Sequence, residues 1–201
     1  MTWIRTIDYG EASGRLRELY QRVKGPGDRV DNILTAHSLR PHTLEAHLNL
    51  YRNVLHHPAS RVPKRTLEAI GVYVSALNGC HYCVDHHTQG MRRLLGADAR
   101  WQAMHTSLLA DRPEDAFEGS ELEMLRYARQ LALTPRDMSE ADVVALRGAG
   151  LDDGEILEVN QVVAYFAYAN RTVLGLGITT EGDVLGHSPS DSAEPDDGSN
   201  G

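Results

Sequence analysis

The sequence predicts an all-α fold. Apolar residues recur three and four positions apart along nearly the whole chain, as at Leu16, Leu19 and Val23. This is the spacing of one face of a helix rather than of a strand. Glycine and proline interrupt the periodic stretches, as expected at the ends of helices. With 201 residues, of which 41% are hydrophobic, the chain is long enough to form one domain with a substantial core.

The breaks between the periodic stretches predict nine helices. Glycine or proline marks most of the breaks, at residues 25–27, 41, 58, 79, 96, 113, 135 and 148–150. The eighth helix has a clear start, because Ser139 can cap free backbone amides and the acids Glu140 and Asp142 favour the positive end of a helix. In chain order, the predicted helices cover residues 11–23, 30–39, 42–56, 63–77, 80–95, 98–109, 120–133, 139–148 and 153–175.

The helix predicted over residues 153–175 is apolar on most of its faces. Such a helix is buried on all sides, either in the core or at a contact between subunits. Because the other helices are short and can bury only part of this apolar helix, we expect a homo-oligomer. The same stretch contains Glu158, Asn160 and Arg171, and no apolar run in the chain approaches the roughly 20 residues of a membrane helix.

The charge of the chain restricts its partners. Its formal net charge is −8, whereas nucleic acids and anionic membranes bind basic surfaces, so we expect a small-molecule or protein partner. The N-terminus lacks the basic and apolar regions of a secretory signal, which predicts a cytoplasmic location. Residues 181–201 are polar and acidic, and they predict a disordered tail that follows a single helical domain of residues 1–180.

The only two cysteines of the chain lie in the segment NGCHYCVDHH, which begins at residue 78. Before it, Leu67 and Ile70 lie on one helical stripe, and the Asn-Gly pair at 78–79 tolerates the left-handed conformation of a helix end. A second helix that begins near Cys80 must run antiparallel to the first, because the connection is so short.

Helix geometry then places four side chains near one another. Cys80, Cys83 and His87 lie at i, i+3 and i+7, on one face of the second helix. Folding the first helix back through the turn brings Glu68 level with residues 88–90, within about one turn of His87. The predicted line of side chains is therefore Glu68, His87, Cys83 and Cys80.

This order suits thiol chemistry. A thiol with a pKa of about 8.5 is a weak nucleophile at neutral pH, but an imidazole can take its proton while a carboxylate holds the ring. Cys80 gains further activation from its position at a helix N-terminus. Two cysteines one turn apart can also form a disulfide, so the group has the parts of a two-cysteine peroxidase or disulfide reductase.

Other interpretations of the cysteines stay open. A structural disulfide is disfavoured in a reducing cytoplasm. A metal site would use Cys80, Cys83 and His87, with or without His86, although structural zinc usually takes two ligands from a distant segment. His86 itself is expected to point away from the cysteines, at the surface. Asn170 and Arg171 either line the same pocket or have an ordinary capping or ion-pairing role, and no role is assigned to His37, His42, His47, His56 and His57.

The spacing Glu68-x11-Cys80-x2-Cys83-x3-His87 resembles the signature of the alkyl hydroperoxidase AhpD core, in the carboxymuconolactone decarboxylase-like superfamily. The flanking sequence VSALNGCHYCVDHHTQGMRRLLG is similar to the peroxidase-related branch of that superfamily. The resemblance extends over about residues 3–178.

The resemblance implies an all-α fold, assembly into trimers or hexamers, and an antioxidant activity. The implied reaction reduces organic hydroperoxides with electrons from a dithiol such as a lipoylated protein, with no cofactor or metal beyond the redox-active cysteine pair. By the same match, Cys83 attacks the peroxide, Cys80 resolves the sulfenic acid as a disulfide, and His87 with Glu68 relays protons.

The sequence departs from the family pattern at one position. Characterised AhpD proteins carry a relay histidine directly before the second cysteine, where this chain has Tyr82, and the histidine here is His81. A shift of one residue turns a helical side chain by about 100°, so His81 should not take over that role. The superfamily also includes decarboxylases that act on a cyclic lactone, and this function is a further alternative.

Overall fold

The structure, a computed structural model, describes residues 2–96 and 99–186. Within these ranges it contains nine α-helices and no β-strand, so the predicted fold class is confirmed. Three short 3₁₀ turns, each starting at a proline, connect some of the helices. The helices are α1 (Gly14–Gln21), α2 (Asn32–Thr35), α3 (Pro41–Leu55), α4 (Lys64–Leu77), α5 (His81–Leu95), α6 (Ala99–Leu109), α7 (Gly119–Leu133), α8 (Glu140–Gly148) and α9 (Asp153–Leu176).

The largest difference from the predicted helices is α2, which covers Asn32–Thr35 rather than residues 30–39. Beyond α2 the chain tightens into turns, in which the Arg40 N–H donates to the His37 carbonyl at 2.9 Å. Pro41 prevents a helix from continuing through Arg40, because a residue before proline is driven out of the α conformation. Arg40 accordingly has φ −141° and ψ 76°.

Helix α4 lies at the centre of the bundle. Residues 66–75 are all buried, and the helix packs against α5, α6, α7 and α9. Gly71 allows α9 to approach, since a Cβ atom there would lie 2.3 Å from the ring of Phe166. Phe166 in turn meets the His87 ring edge-on, with 4.6 Å between the centroids. The packing of α9 against α4 therefore helps to position a predicted site residue.

Helix α9 has 24 residues and begins with reciprocal caps. The Asp152 carboxylate accepts the Glu155 N–H at 2.9 Å, and the Glu155 carboxylate accepts the Asp152 N–H at 2.8 Å. One face of α9 is buried, whereas Leu157, Tyr168 and Leu174 are exposed. Burial within the chain is therefore one-sided, and the homo-oligomer that would cover the other side stays a prediction. Across the described ranges, no helix is long and apolar enough to cross a membrane.

Residues 179–186 follow α9 and fold back over α2 and α5; we call them the C-terminal segment. The Asn32 side-chain amide donates to the carbonyls of Thr179 and Glu181 at 2.8 and 2.9 Å. The sequence assigned residues 181–201 to a disordered tail, but residues 181–186 contact the helices. Residues 187–201 lie outside the described residues, and disorder there stays a prediction.

Candidate active site

The α4–α5 hairpin forms as the sequence predicts. Gly79 follows α4 with φ +68°, which is the left-handed conformation that favours glycine. The Cys80 N–H donates to the Ser75 carbonyl at 2.8 Å and the Gly79 N–H to the Ala76 carbonyl at 3.0 Å, so the end of α4 has the hydrogen bonds of a Schellman motif. Cys80 is then the residue immediately before α5. One tight turn therefore places a thiol at the start of a helix.

Both thiols are free and buried, with 0% of Cys80 and 3% of Cys83 exposed. They hydrogen-bond each other, and the Asn170 side chain contacts both. Asn170 is itself fixed, because it donates to the Ser75 hydroxyl at 3.0 Å and accepts from the Asn78 side-chain amide at 2.9 Å. Asn170 is not among the residues that line the cavity described below, so the expectation that it lines the pocket stays unconfirmed. Arg171 is exposed and bonds a carbonyl of its own helix.

The two thiols differ in acidity. The hydrogen bond from Cys83 lowers the pKa of the Cys80 thiol and outweighs the effect of burial. The same hydrogen bond, together with burial, raises the pKa of the Cys83 thiol well above its ordinary value. Cys80 is therefore the more acidic thiol of the pair, and Cys83 holds its proton at neutral pH.

A cavity of about 480 Å³ opens beside the thiols. Cys83 lines it, whereas Cys80 is not among the lining residues. Glu68 and His87 also line it, so the cavity brings three of the four predicted site residues to one surface. Much of the remaining wall is apolar or aromatic, formed by Ile33, Leu34, Leu48, Tyr51, Tyr165 and Ala169.

Glu68 and His87 form the predicted pair. The Glu68 Oε2 atom lies 2.8 Å from the His87 Nδ1 atom, and only 4% of Glu68 is exposed. Burial raises the pKa of Glu68, but the adjacent His87 outweighs this and holds the pKa below its ordinary value. An ionised carboxylate only accepts hydrogen bonds, so His87 donates through Nδ1–H and presents Nε2 away from Glu68.

The predicted line of four side chains is interrupted once. Glu68 bonds His87 and Cys83 bonds Cys80, but no hydrogen bond joins His87 to Cys83 within the described residues. Both side chains line the same cavity. Gly90 lets α5 approach the Glu68 carboxylate closely, since a Cβ atom at residue 90 would lie 3.1 Å from that group.

A second polar group, which the sequence analysis missed, lies on the same cavity. The Tyr82 hydroxyl donates to Asp183 Oδ2 at 2.7 Å, and His86 Nε2 lies 3.3 Å from the same oxygen. The Asn32 N–H donates to both Asp183 oxygens, at 3.1 and 3.2 Å. The prediction that His86 lies at the surface is wrong, because the C-terminal segment covers it. His81 is exposed, in agreement with the expectation that it cannot replace the relay histidine.

Asp31 completes this second group. It precedes α2, lines the cavity and is partly buried, and its side chain does not cap the helix. Burial raises the pKa of Asp31 to about 6, with an opposing effect from His86 and a smaller supporting one from Asp183. No local sequence pattern pointed to Asp31 or to Asp183.

His47, to which the sequence assigned no role, also lines the cavity. It is buried against the rings of Tyr165, Tyr168 and His37. Burial, assisted by His37, lowers the pKa of His47 to about 3, so its imidazole is neutral in the physiological range.

The described ranges contain no cluster of side chains that would support the alternative of a metal site. No group of three or more histidine, cysteine, aspartate and glutamate side chains there is placed to hold a metal ion. Cys80 and Cys83 point toward each other and Asn170, and His87 is engaged by Glu68.

The chain is similar to one known family and to several solved structures. The model of the carboxymuconolactone decarboxylase family matches residues 41–104, a range that contains all four predicted site residues. No curated protein matches the sequence significantly.

Several solved structures share the fold. The "alkylhydroperoxidase AhpD core: uncharacterized peroxidase-related protein" of Ralstonia eutropha JMP134 has a TM-score of 0.77 and 20% identity, over 89% of this chain and 91% of that one. An uncharacterized peroxidase-related protein of Silicibacter sp. TM1040 has a TM-score of 0.72 and 24% identity, over 81% and 83%. The debrominase Bmp8 has a TM-score of 0.68 and 16% identity, over 89% and 90%.

Proposed function

We propose that this chain is a thiol-dependent peroxidase of the AhpD-like carboxymuconolactone decarboxylase superfamily, an assignment that its family match over residues 41–104 and its fold support. It reduces organic hydroperoxides while Cys80 and Cys83 cycle between dithiol and disulfide. One observation carries the proposal: two free thiols are hydrogen-bonded to each other, and only Cys83 reaches a cavity that also holds the Glu68–His87 pair.

The first step is attack by Cys83. His87, oriented by Glu68, accepts the Cys83 proton across the cavity. The thiolate then attacks the distal oxygen of the hydroperoxide, so that an S–O bond forms and the O–O bond breaks. Cys83 becomes a sulfenic acid, and the substrate leaves as an alkoxide that must take up a proton. The raised pKa of Cys83 explains why a base is needed at all.

The second step forms the disulfide. The Cys80 thiolate attacks the Cys83 sulfur, so that an S–S bond forms and the S–O bond breaks, and the departing hydroxide takes up the proton that Cys80 had released and leaves as water. The lowered pKa of Cys80 favours this step, because it eases formation of the thiolate. The sum is one hydroperoxide and two thiols converted to one alcohol, one water and one disulfide.

An external dithiol, such as a lipoylated protein, then restores the thiols. Its attack must fall on Cys83, because Cys80 does not line the cavity. This direction is also the favourable one, since the more acidic thiol is the better leaving group in disulfide exchange. A reducing compartment such as the cytoplasm would maintain that donor.

The experiment is a thiol count before and after one equivalent of cumene hydroperoxide, without oxygen or reductant. Wild type should lose two thiols per peroxide. Cys83→Ser should lose none, and Cys80→Ser should lose one and accumulate a sulfenic acid that dimedone traps. An unchanged thiol count in the wild type would contradict the proposal.

The same preparation tests the rivals. The fold is shared with a debrominase, one of whose structures holds 2,3,4-tribromopyrrole, so thiol loss on that compound but not on peroxide would favour a debrominase. One tightly bound zinc per chain would favour the metal site. Muconolactone turnover that survives replacement of both cysteines would favour the decarboxylase.

A further inference from the structure

We propose that Asp31 is the acid that protonates the alkoxide when Cys83 cleaves the hydroperoxide. This inference rests on the proposed function. It names a source for the proton that the alkoxide takes up in the first step, and it takes the acid from the residue before α2 and the base from α5.

The position of Asp31 carries the argument. Asp31 and Cys83 line the same cavity, so both border the space in which a substrate would bind. The Asp31 carboxyl group accepts no hydrogen bond from the described residues. Asp183, by contrast, is held by the Tyr82 hydroxyl, the Asn32 N–H and His86. Of these two neighbouring carboxyl groups, only Asp31 is free to bond a substrate oxygen.

Their surroundings suit the carboxyl groups of Glu68 and Asp31 to different roles. His87 holds the pKa of Glu68 below its ordinary value despite burial, and burial raises the pKa of Asp31 to about 6. Carboxyl groups whose environments drive their pKa values apart at one site are candidates for the base and the acid of a reaction. Of the neighbouring side chains, His86 acts to lower the pKa of Asp31 and Asp183 acts to raise it, and both effects are smaller than that of burial.

The proton balance is complete. Cys83 gives its proton to His87, and the thiolate attacks the distal oxygen. As the O–O bond breaks, Asp31–COOH gives its proton to the departing alkoxide, which leaves as an alcohol. Asp31 is then a carboxylate and His87 is protonated, so transfer of that proton through solvent restores both groups before the next turnover.

Leaving-group basicity provides a selective test. Cumene hydroperoxide releases a strongly basic alkoxide, whereas perbenzoic acid releases benzoate, a weak base that needs no proton. General acids typically contribute about 10² to 10⁴ in rate. In single-turnover thiol oxidation, Asp31→Asn should therefore react about 100-fold more slowly with cumene hydroperoxide and within about threefold of wild type with perbenzoic acid.

Two further variants control the test. Asp31→Glu keeps an acid and should recover most of the cumene hydroperoxide rate. Asp28→Asn removes a nearby exposed carboxylate that pairs with Lys24, and it should behave as wild type with both oxidants. Equal slowing of Asp31→Asn with both oxidants, or no slowing with either, would overturn the assignment. If wild type itself loses no thiols with either oxidant, the proposed function fails instead, and that result is visible before any variant is compared.

Discussion

Replacing Glu68 by glutamine should slow oxidation of the cysteine pair about tenfold at pH 7. The substitution keeps the volume of the side chain and an oxygen that can accept from His87, 2.8 Å away in the wild type, but it removes the negative charge. Hydrogen bonds to charged groups contribute about 1.5–3 kcal/mol and neutral ones about 0.5–1.5 kcal/mol. The variant therefore loses about 1.4 kcal/mol of support for the protonated imidazole, which is a factor of about ten in rate.

The assay is single-turnover loss of thiols with cumene hydroperoxide in excess, quenched at intervals. Glu121→Gln is the matched control, because Glu121 also contacts α4, through Thr66 at 2.8 Å, but does not line the cavity. A rate within twofold of wild type for a folded Glu68→Gln protein would refute the reasoning. So would a double variant with His87→Asn that is much slower than His87→Asn alone, because residues that act as a unit are not additive.

Three further substitutions test other contacts of the site. Gly90→Ala places a Cβ atom 3.1 Å from the Glu68 carboxylate and should slow thiol oxidation several-fold, while Gly175→Ala, with open space around it, should leave the rate unchanged in the same assay. The pKa of Asp31 is raised to about 6, so its ionisation opposes folding as pH rises. Asp31→Asn should therefore be more stable than wild type by about 3 kcal/mol at pH 8, and urea unfolding should show the difference vanishing below about pH 4. Asp183→Ala should lower stability by about 1–3 kcal/mol, because it leaves a buried hydroxyl and a backbone N–H without their acceptor; an unchanged urea midpoint would contradict this.

The α4–α5 hairpin and its site residues could be predicted from the sequence because their relations are local. Gly79 fixes the turn, and helical rise then determines which residues of the two helices are level. Glu68 and His87 are only 19 positions apart, so an error of one residue in either helix would still leave them within reach. The same reasoning placed Cys80 at the start of α5, which is where the structure has it.

The second polar group could not be predicted in this way. His86 and Asp183 are 97 positions apart, and Tyr82 and Asp183 are 101 apart. Their contact depends on the path that the chain takes after α9, which periodicity does not describe. Composition also misled at this point, since residues 181–186 contain two glycines and two acids and resemble a solvated tail. Their order comes from bonds to α2 and α5 that only the folded chain provides.

At Asp31, a structural role and a chemical role predict different effects of the same substitution. A partly buried carboxyl group that accepts no hydrogen bond lowers stability once it ionises, and asparagine would fill the same space without that charge. A purely structural role therefore predicts that Asp31→Asn is at least as stable and equally active. A role as an acid predicts greater stability with slower hydroperoxide cleavage, the opposition expected when a site is held in a destabilising state for its chemistry. If stability and both oxidation rates fell together, Asp31 would instead be a packing residue whose loss disturbs the cavity.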